Sequence, residues 1–131
     1  MALPAVTTPK TYDLRISQGS TFTRSLEVYI ATPGDVDLTG CTFAAKIRDK
    51  FGVSSVVIII LTVTTTAPGL LVGQFSIDLT AAQTAALAVP AATPDDVREA
   101  LIGVWDLEIT SGTAVYRYVQ GDVYLSREAT Y

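Results

Sequence analysis

Apolar and polar residues alternate along most of this chain, and the alternation stops at glycine and proline. Residues 12–17 show the period of two that is typical of a strand with one buried face. Gln18-Gly19 follows as a turn signal, because glycine adopts positive φ at little cost. The alternation begins again at Phe22. The stretch 11–22 therefore predicts a hairpin-like pair of strands.

The same pattern recurs in short segments down to the end of the chain. They are 22–30, 41–48, 56–63, 73–79, 104–110, 114–119 and 122–125. Turn signals separate them, including Gln120-Gly121 between the last two. Seven or eight short antiparallel strands at this spacing predict a mostly β fold, a sandwich or a barrel.

Two segments carry helix-start signals instead. Thr80 and Gln83 fit a capping box ahead of an alanine-rich run, which predicts a short helix that Pro90 ends. Thr93-Pro94-Asp95-Asp96 combines an N-cap residue, proline at the first helical position and acids in the first turn, which predicts a second helix over 93–101. Both helices would be inserted before the strand that begins with Trp105-Asp106.

Two segments depart from the alternating pattern. Residues 1–10 contain two prolines and show no period, so we interpret them as an extended N-terminal arm that precedes a single domain over 11–131. Residues 56–63 are apolar and β-branched almost without interruption, which predicts burial on both faces or a face toward a partner. Mean hydropathy is +0.38. Surplus apolar strand surface of this kind indicates an interface.

Composition narrows the classes of function. The net charge of −4 argues against nucleic-acid binding, which relies on clustered Lys and Arg. The chain has no histidine and one cysteine, Cys41, so it lacks the commonest general base and any intrachain disulfide. The longest apolar run falls far short of the roughly 20 residues of a membrane helix. The N-terminal residues show no signal-peptide pattern. We therefore expect a cytoplasmic origin with no membrane contact.

The candidate chemical groups are explained more simply by strand alternation. Asp106 and Glu108 share a strand face and could form an acid pair or a cation site, but alternation predicts polar residues there in any case. Asp35 and Asp37 lack the spacing of a calcium loop. Cys41 has no histidine to activate it. We expect no catalytic residue, cofactor or metal, and hence no enzyme.

An ordered set of short motifs carries a family resemblance. The motifs are Tyr12–Ile16, Gln18–Phe22, Asp37–Gly40, Ala45–Arg48, Gly73–Ile77, Gln83–Leu87, Trp105–Glu108, Gly121–Val123 and Glu128–Thr130. In this order they resemble small structural proteins of tailed bacteriophages, similar to the N-terminal domains of baseplate upper proteins. The resemblance implies an immunoglobulin-like β-sandwich without catalytic residues. The segment 89–101 departs from it as an insertion.

These observations predict a non-enzymatic virion protein in the tail, baseplate or fibre-attachment region. It would be made in the host bacterial cytoplasm and would contact other virion proteins, as a homo-oligomer. The residues expected to contact partners are Leu3, Pro4, Val6, Val57, Ile59, Leu61, Pro94, Val97, Tyr116 and Tyr118. A capsid cement or decoration protein is the first alternative. A carbohydrate-binding module is the second, with Tyr116, Tyr118 and Tyr124 as an aromatic platform.

Overall fold

Eight strands and two short helices form the regular structure of the computed structural model, which describes residues 10–29 and 31–128. The strands are β1 (Lys10–Thr11), β2 (Leu14–Ser17), β3 (Phe22–Glu27), β4 (Thr42–Arg48), β5 (Val57–Thr64), β6 (Gln74–Leu79), β7 (Glu99–Ser111) and β8 (Ala114–Ser126), and the helices are α1 (Ala67–Leu71) and α2 (Ala81–Ala85). The predicted mostly β, sandwich-like fold is confirmed. No described helix has the length and apolar character needed to cross a membrane.

The strands follow one curled path around a common core, and β5 belongs to two parts of that path. In the first layer β1 and β2 lie on β8, followed by β7, β4 and the first part of β5. The second layer contains the end of β5, then β6 and β3. Val57–Leu61 pairs with β4, whereas Thr62–Thr64 pairs with β6. One strand thus joins the two layers without a connecting loop.

Strand alternation builds the core, as the sequence predicted. Trp105, Leu107 and Ile109 of β7 are buried, while the residues between them are only partly covered. The indole Nε1 of Trp105 donates a hydrogen bond to the carbonyl oxygen of Tyr12 at 2.7 Å, which satisfies the one polar atom of this large buried side chain. The other core residues come from inward positions of both layers and from the loops, among them Leu14, Ile16, Phe22, Leu38, Ile47, Leu61, Ile77, Leu79, Val123 and Leu125.

The stretch 11–22 does not form the predicted hairpin. β2 pairs in parallel with β8 and β3 pairs antiparallel with β6, so the two strands lie in different layers. Gly19, at φ 82°, turns the chain from one layer to the other. The Gln18 side chain fixes this corner: its Nε2 donates to the Leu87 carbonyl at 2.8 Å and its Oε1 accepts from the Glu128 amide at 3.0 Å. The expectation of antiparallel pairing alone was therefore wrong at β1 and β2.

The predicted capping box is present, but the second predicted helix is not. Thr80 and Gln83 cap α2 reciprocally. Residues 91–98 form turns instead of a helix, and β7 begins at Glu99, where pairing with β8 replaces the local helical signal. The short helix α1 begins at Ala67, with the Thr66 hydroxyl as its N-cap.

β8 is one continuous strand, so the expected break at Gln120-Gly121 does not exist. Gly121 lies in the strand interior opposite Trp105. A Cβ atom there would stand 2.3 Å from the Tyr12 carbonyl oxygen, because the chain between β1 and β2 crosses directly over this position. Glycine is required here by close backbone approach. The predicted turn was wrong because glycine occurs both in turns and in strands that another backbone segment approaches closely.

This geometry predicts that Gly121→Ala lowers the free energy of unfolding by about 3 kcal/mol, the upper part of the range for overpacked sites. The matched control is Gly112→Ala. Gly112 has φ 62° with open space around its Cβ position, so the cost there is about 1 kcal/mol of backbone strain. Urea unfolding of both variants measures the difference. A Gly121 variant no less stable than the Gly112 variant would contradict the packing described here.

Candidate interface surface

The exposed apolar side chains of the described residues concentrate in the hairpin that joins β4 to β5. Eleven large hydrophobic residues are exposed among all the described residues, and six of them lie between positions 51 and 60. They are Phe51, Val53, Val56, Val57, Ile58 and Ile60. We call these six residues the hairpin patch. Val53 stands fully in solvent at the tip, and Ile60 is 60% exposed on β5 opposite Lys46.

The same segment lacks charge. No Asp, Glu, Lys or Arg occurs between Lys50 and Asp78. Val57–Leu61 is paired with β4 on one side, and no strand in the described part of the chain pairs with its other edge. Strand edges in monomeric proteins usually carry charges, proline or a bulge that discourage pairing with other chains. Here the register shift opposite Arg48 is the one such device.

The structure shows which residues of the segment 56–63 face the core and which face the surface. Leu61 is 2% exposed in the core, so it cannot serve as the surface residue that the sequence suggested. Ile59 is half-buried against the core and Val57 is exposed. The sequence-based prediction chose Val57, Ile59 and Leu61, the alternate set that includes the core residue Leu61, whereas Ile60 is the most exposed large hydrophobic residue of β5.

The remaining predicted interface residues do not lie on the hairpin patch. Leu3, Pro4 and Val6 fall outside the described residues. Pro94 is exposed and Val97 half-buried in the turn before β7. Their carbonyl oxygens both accept hydrogen bonds from Nη1 of Arg127, at 2.8 and 3.2 Å. This arginine ties the turn to the chain just after β8.

The tyrosines of β8 do not form one exposed platform. Tyr116 and Tyr118 are half-buried against the core, with ring centroids 6.1 Å apart. Burial, with Tyr116 and Cys41 nearby, raises the pKa of Tyr118 to about 12. Tyr124 alternates with the buried Val123 and Leu125, and the Arg15 guanidinium covers its ring at 4.5 Å. Arg15 also pairs with Glu99. This arrangement gives no shared flat face for a sugar ring.

The carboxylates considered as chemical groups are engaged by their own surroundings. Asp106 forms an ion pair with Arg117 at 3.2 Å on the outward side of β7, and Glu108 lies opposite the same arginine in the ladder. Asp37 accepts from the amide and the hydroxyl of Thr39, and these hydrogen bonds lower the pKa of Asp37. Among the described residues no group of three or more potential ligands could hold a metal ion.

The sequence did not predict the structural role of the Asp78 carboxylate. It lies on β6 and accepts hydrogen bonds from the hydroxyls of Thr23 on β3, Thr64 on β5 at 2.6 Å, and Ser76 at 2.9 Å. Partial burial favours the neutral acid, but the three hydroxyl donors outweigh it and lower the pKa of Asp78. The carboxylate therefore links the three strands of the second layer across their polar face. In the ladder Asp78 lies opposite Thr23 of β3 and Thr62 of β5, which the sequence does not reveal without the pairing of these strands.

Two shallow grooves accompany these strands. One, of about 460 Å³, lies along β3, β5 and β6, and Glu27 is the one ionisable residue among those described that line it. Its carboxylate accepts from the Gly34 amide at 3.0 Å. The other, of about 410 Å³, opens where β5 parts from β4, and its lining includes Cys41, Phe43 and Val63. Both grooves accompany the division of β5 between two layers.

Comparison with known proteins adds little to this picture. No family model matches the chain, and no curated protein matches it. Among solved structures, the crystal structure of Listeria monocytogenes InlP matches with a TM-score of 0.34 and 16% identity, over 92% of this chain and 28% of that one. The chain thus corresponds in length to less than a third of that protein, and a likeness at this TM-score carries no argument.

The Asp78 contacts predict a pH-dependent contribution to stability. Because folding lowers the pKa of this group below the usual 3.8, its stabilisation is complete above that value and is lost as pH falls through the folded-state pKa. Asp78→Asn should cost about 1 kcal/mol at pH 7, the net worth of a typical hydrogen bond, and much less near pH 2. Asp122→Asn is a control of the same chemistry without these hydroxyl contacts. Urea unfolding across this pH range would contradict the assignment if the Asp78→Asn cost were the same at both ends.

Proposed function

We propose that this chain is a non-enzymatic structural protein of a tailed bacteriophage particle, an assembly component of the tail, baseplate or fibre-attachment region. The observation that carries the proposal is the hairpin patch, a cluster of exposed apolar side chains in a segment without charged residues, on an otherwise well-packed small domain. Apolar surface concentrated in this way is typical of a protein whose working state is a complex.

Two further observations support a role in binding rather than in chemistry. The carboxylates Asp37, Asp78 and Asp106 are each held by hydroxyl, amide or guanidinium groups of the same domain. The short motifs from Tyr12 to Thr130 supply the resemblance to phage structural proteins, and the sandwich-like fold is compatible with that resemblance. The location within a virion rests on the resemblance alone.

The proposal predicts that the chain is a stoichiometric component of purified phage particles. Particles produced by the bacterial strain that carries the gene would be purified on a density gradient and quantified by mass spectrometry against the major capsid protein. A few to some dozens of copies per particle are expected for a tail or baseplate position. Hundreds of copies would indicate a decoration protein on the capsid surface instead. Absence from the particles would overturn the virion role.

A further inference from the structure

We propose that the free edge of β5 pairs antiparallel with the β5 edge of a second copy of this chain, so that the hairpin patches of the two copies form one twofold interface. This inference rests on the proposed function, because it identifies a second copy of the chain as one partner of the proposed assembly protein. It is argued from the backbone, the side chains and the charge of the hairpin.

The backbone supplies the first argument. Val57–Leu61 uses one edge for β4, and alternate residues of an antiparallel strand direct their amide and carbonyl groups toward the other edge. No described strand meets that edge, because the chain leaves for the second layer at Thr62. A second strand placed there would satisfy these groups with main-chain hydrogen bonds. Such strand addition is a common mode of association.

The side chains supply the second argument, which favours a second copy as the partner. A twofold interface brings a segment against itself, so the segment must be self-complementary. Every residue from Val56 to Leu61 is Val, Ile or Leu. An antiparallel pair within this segment therefore places apolar residues opposite apolar residues whichever residue lies on the axis.

Charge supplies the third argument. The net charge of −4 would make two copies repel if their acids met, but no charged residue occurs from Phe51 through Ile77. The ionisable ladder neighbours of Val57–Leu61 are Lys46 and Arg48 of β4, on the side away from the free edge, and Asp78 of β6 lies opposite Thr62, just beyond this segment. Two copies can therefore pair along Val57–Leu61 without bringing acids of this segment against each other.

The test compares two substitutions of the same chemistry. Ile60 is 60% exposed and lies opposite Lys46, so the glutamate of Ile60→Glu gains an ionic neighbour in the monomer and should leave the fold intact. In the dimer the two carboxylates would replace apolar contacts and lie close together across the twofold axis, where like charges repel. We expect the dimer dissociation constant to rise at least about 100-fold. Val115→Glu is the matched control, because Val115 is 55% exposed in a strand outside the hairpin, opposite Thr110.

Light scattering coupled to size exclusion, over a range of concentrations, gives the masses. Wild type and Val115→Glu should show twice the 13.9 kDa of the chain, and Ile60→Glu a folded monomer by circular dichroism. A wild-type chain that stays monomeric throughout, or an Ile60→Glu variant that dimerises as well as wild type, would overturn the inference. Trimers or hexamers whose mass Ile60→Glu leaves unchanged would overturn it as well. A monomer that is nevertheless present in phage particles defeats only this inference, whereas a dimer absent from particles defeats only the virion role.

Discussion

The structure depends on one constraint: β5 must pair with β4 in one layer and with β6 in the other. The division falls between Leu61 and Thr62, where the ladder partner changes from Ala45 to Asp78. Because each half of the strand has a single partner, each half leaves one edge unpaired. The 410 Å³ groove beside Phe43 and the free edge of Val57–Leu61 are both consequences of this division.

The constraint also explains how the two halves of β5 differ in composition. Val57–Leu61 is wholly apolar, while Thr62–Thr64 carries hydroxyls, one of which donates to Asp78 at 2.6 Å. The second half is therefore fixed to its layer by polar contacts across the strands. The first half is held by β4 and by inward packing at Ile59 and Leu61, while Val57, Ile58 and Ile60 stay exposed.

The sequence could predict elements whose signals are local. The strand alternation around Trp105 and the capping box of Thr80 and Gln83 are confirmed, since each is set by neighbouring residues. Pairing partners could not be predicted in the same way. The parallel placement of β2 on β8 depends on residues more than a hundred positions apart, and the helix signal at Thr93 lost to pairing of Glu99 and its neighbours with β8.

The exposed apolar surface was predictable as a region, but not residue by residue. A run of β-branched residues over 56–63 indicates surplus apolar surface, yet the run itself does not tell which alternate set faces the core. The core contains Leu61, and the surface contains Ile60. The roles of two glutamines differ in the same way. Gln83 caps a helix, as its local motif predicts. Gln18 links the carbonyl of Leu87 to the amide of Glu128, and no local motif predicts these contacts.

Amide hydrogen exchange at two protein concentrations tests the central claim, that the free edge of β5 is an interface, most directly. The account predicts that the amides of Val57–Leu61 directed away from β4 exchange more slowly in the concentrated sample. The amides of the turn around Gly112 should exchange equally in both and serve as the internal reference. Identical exchange of Val57–Leu61 at both concentrations, over a range in which mass measurement shows association, would contradict the account.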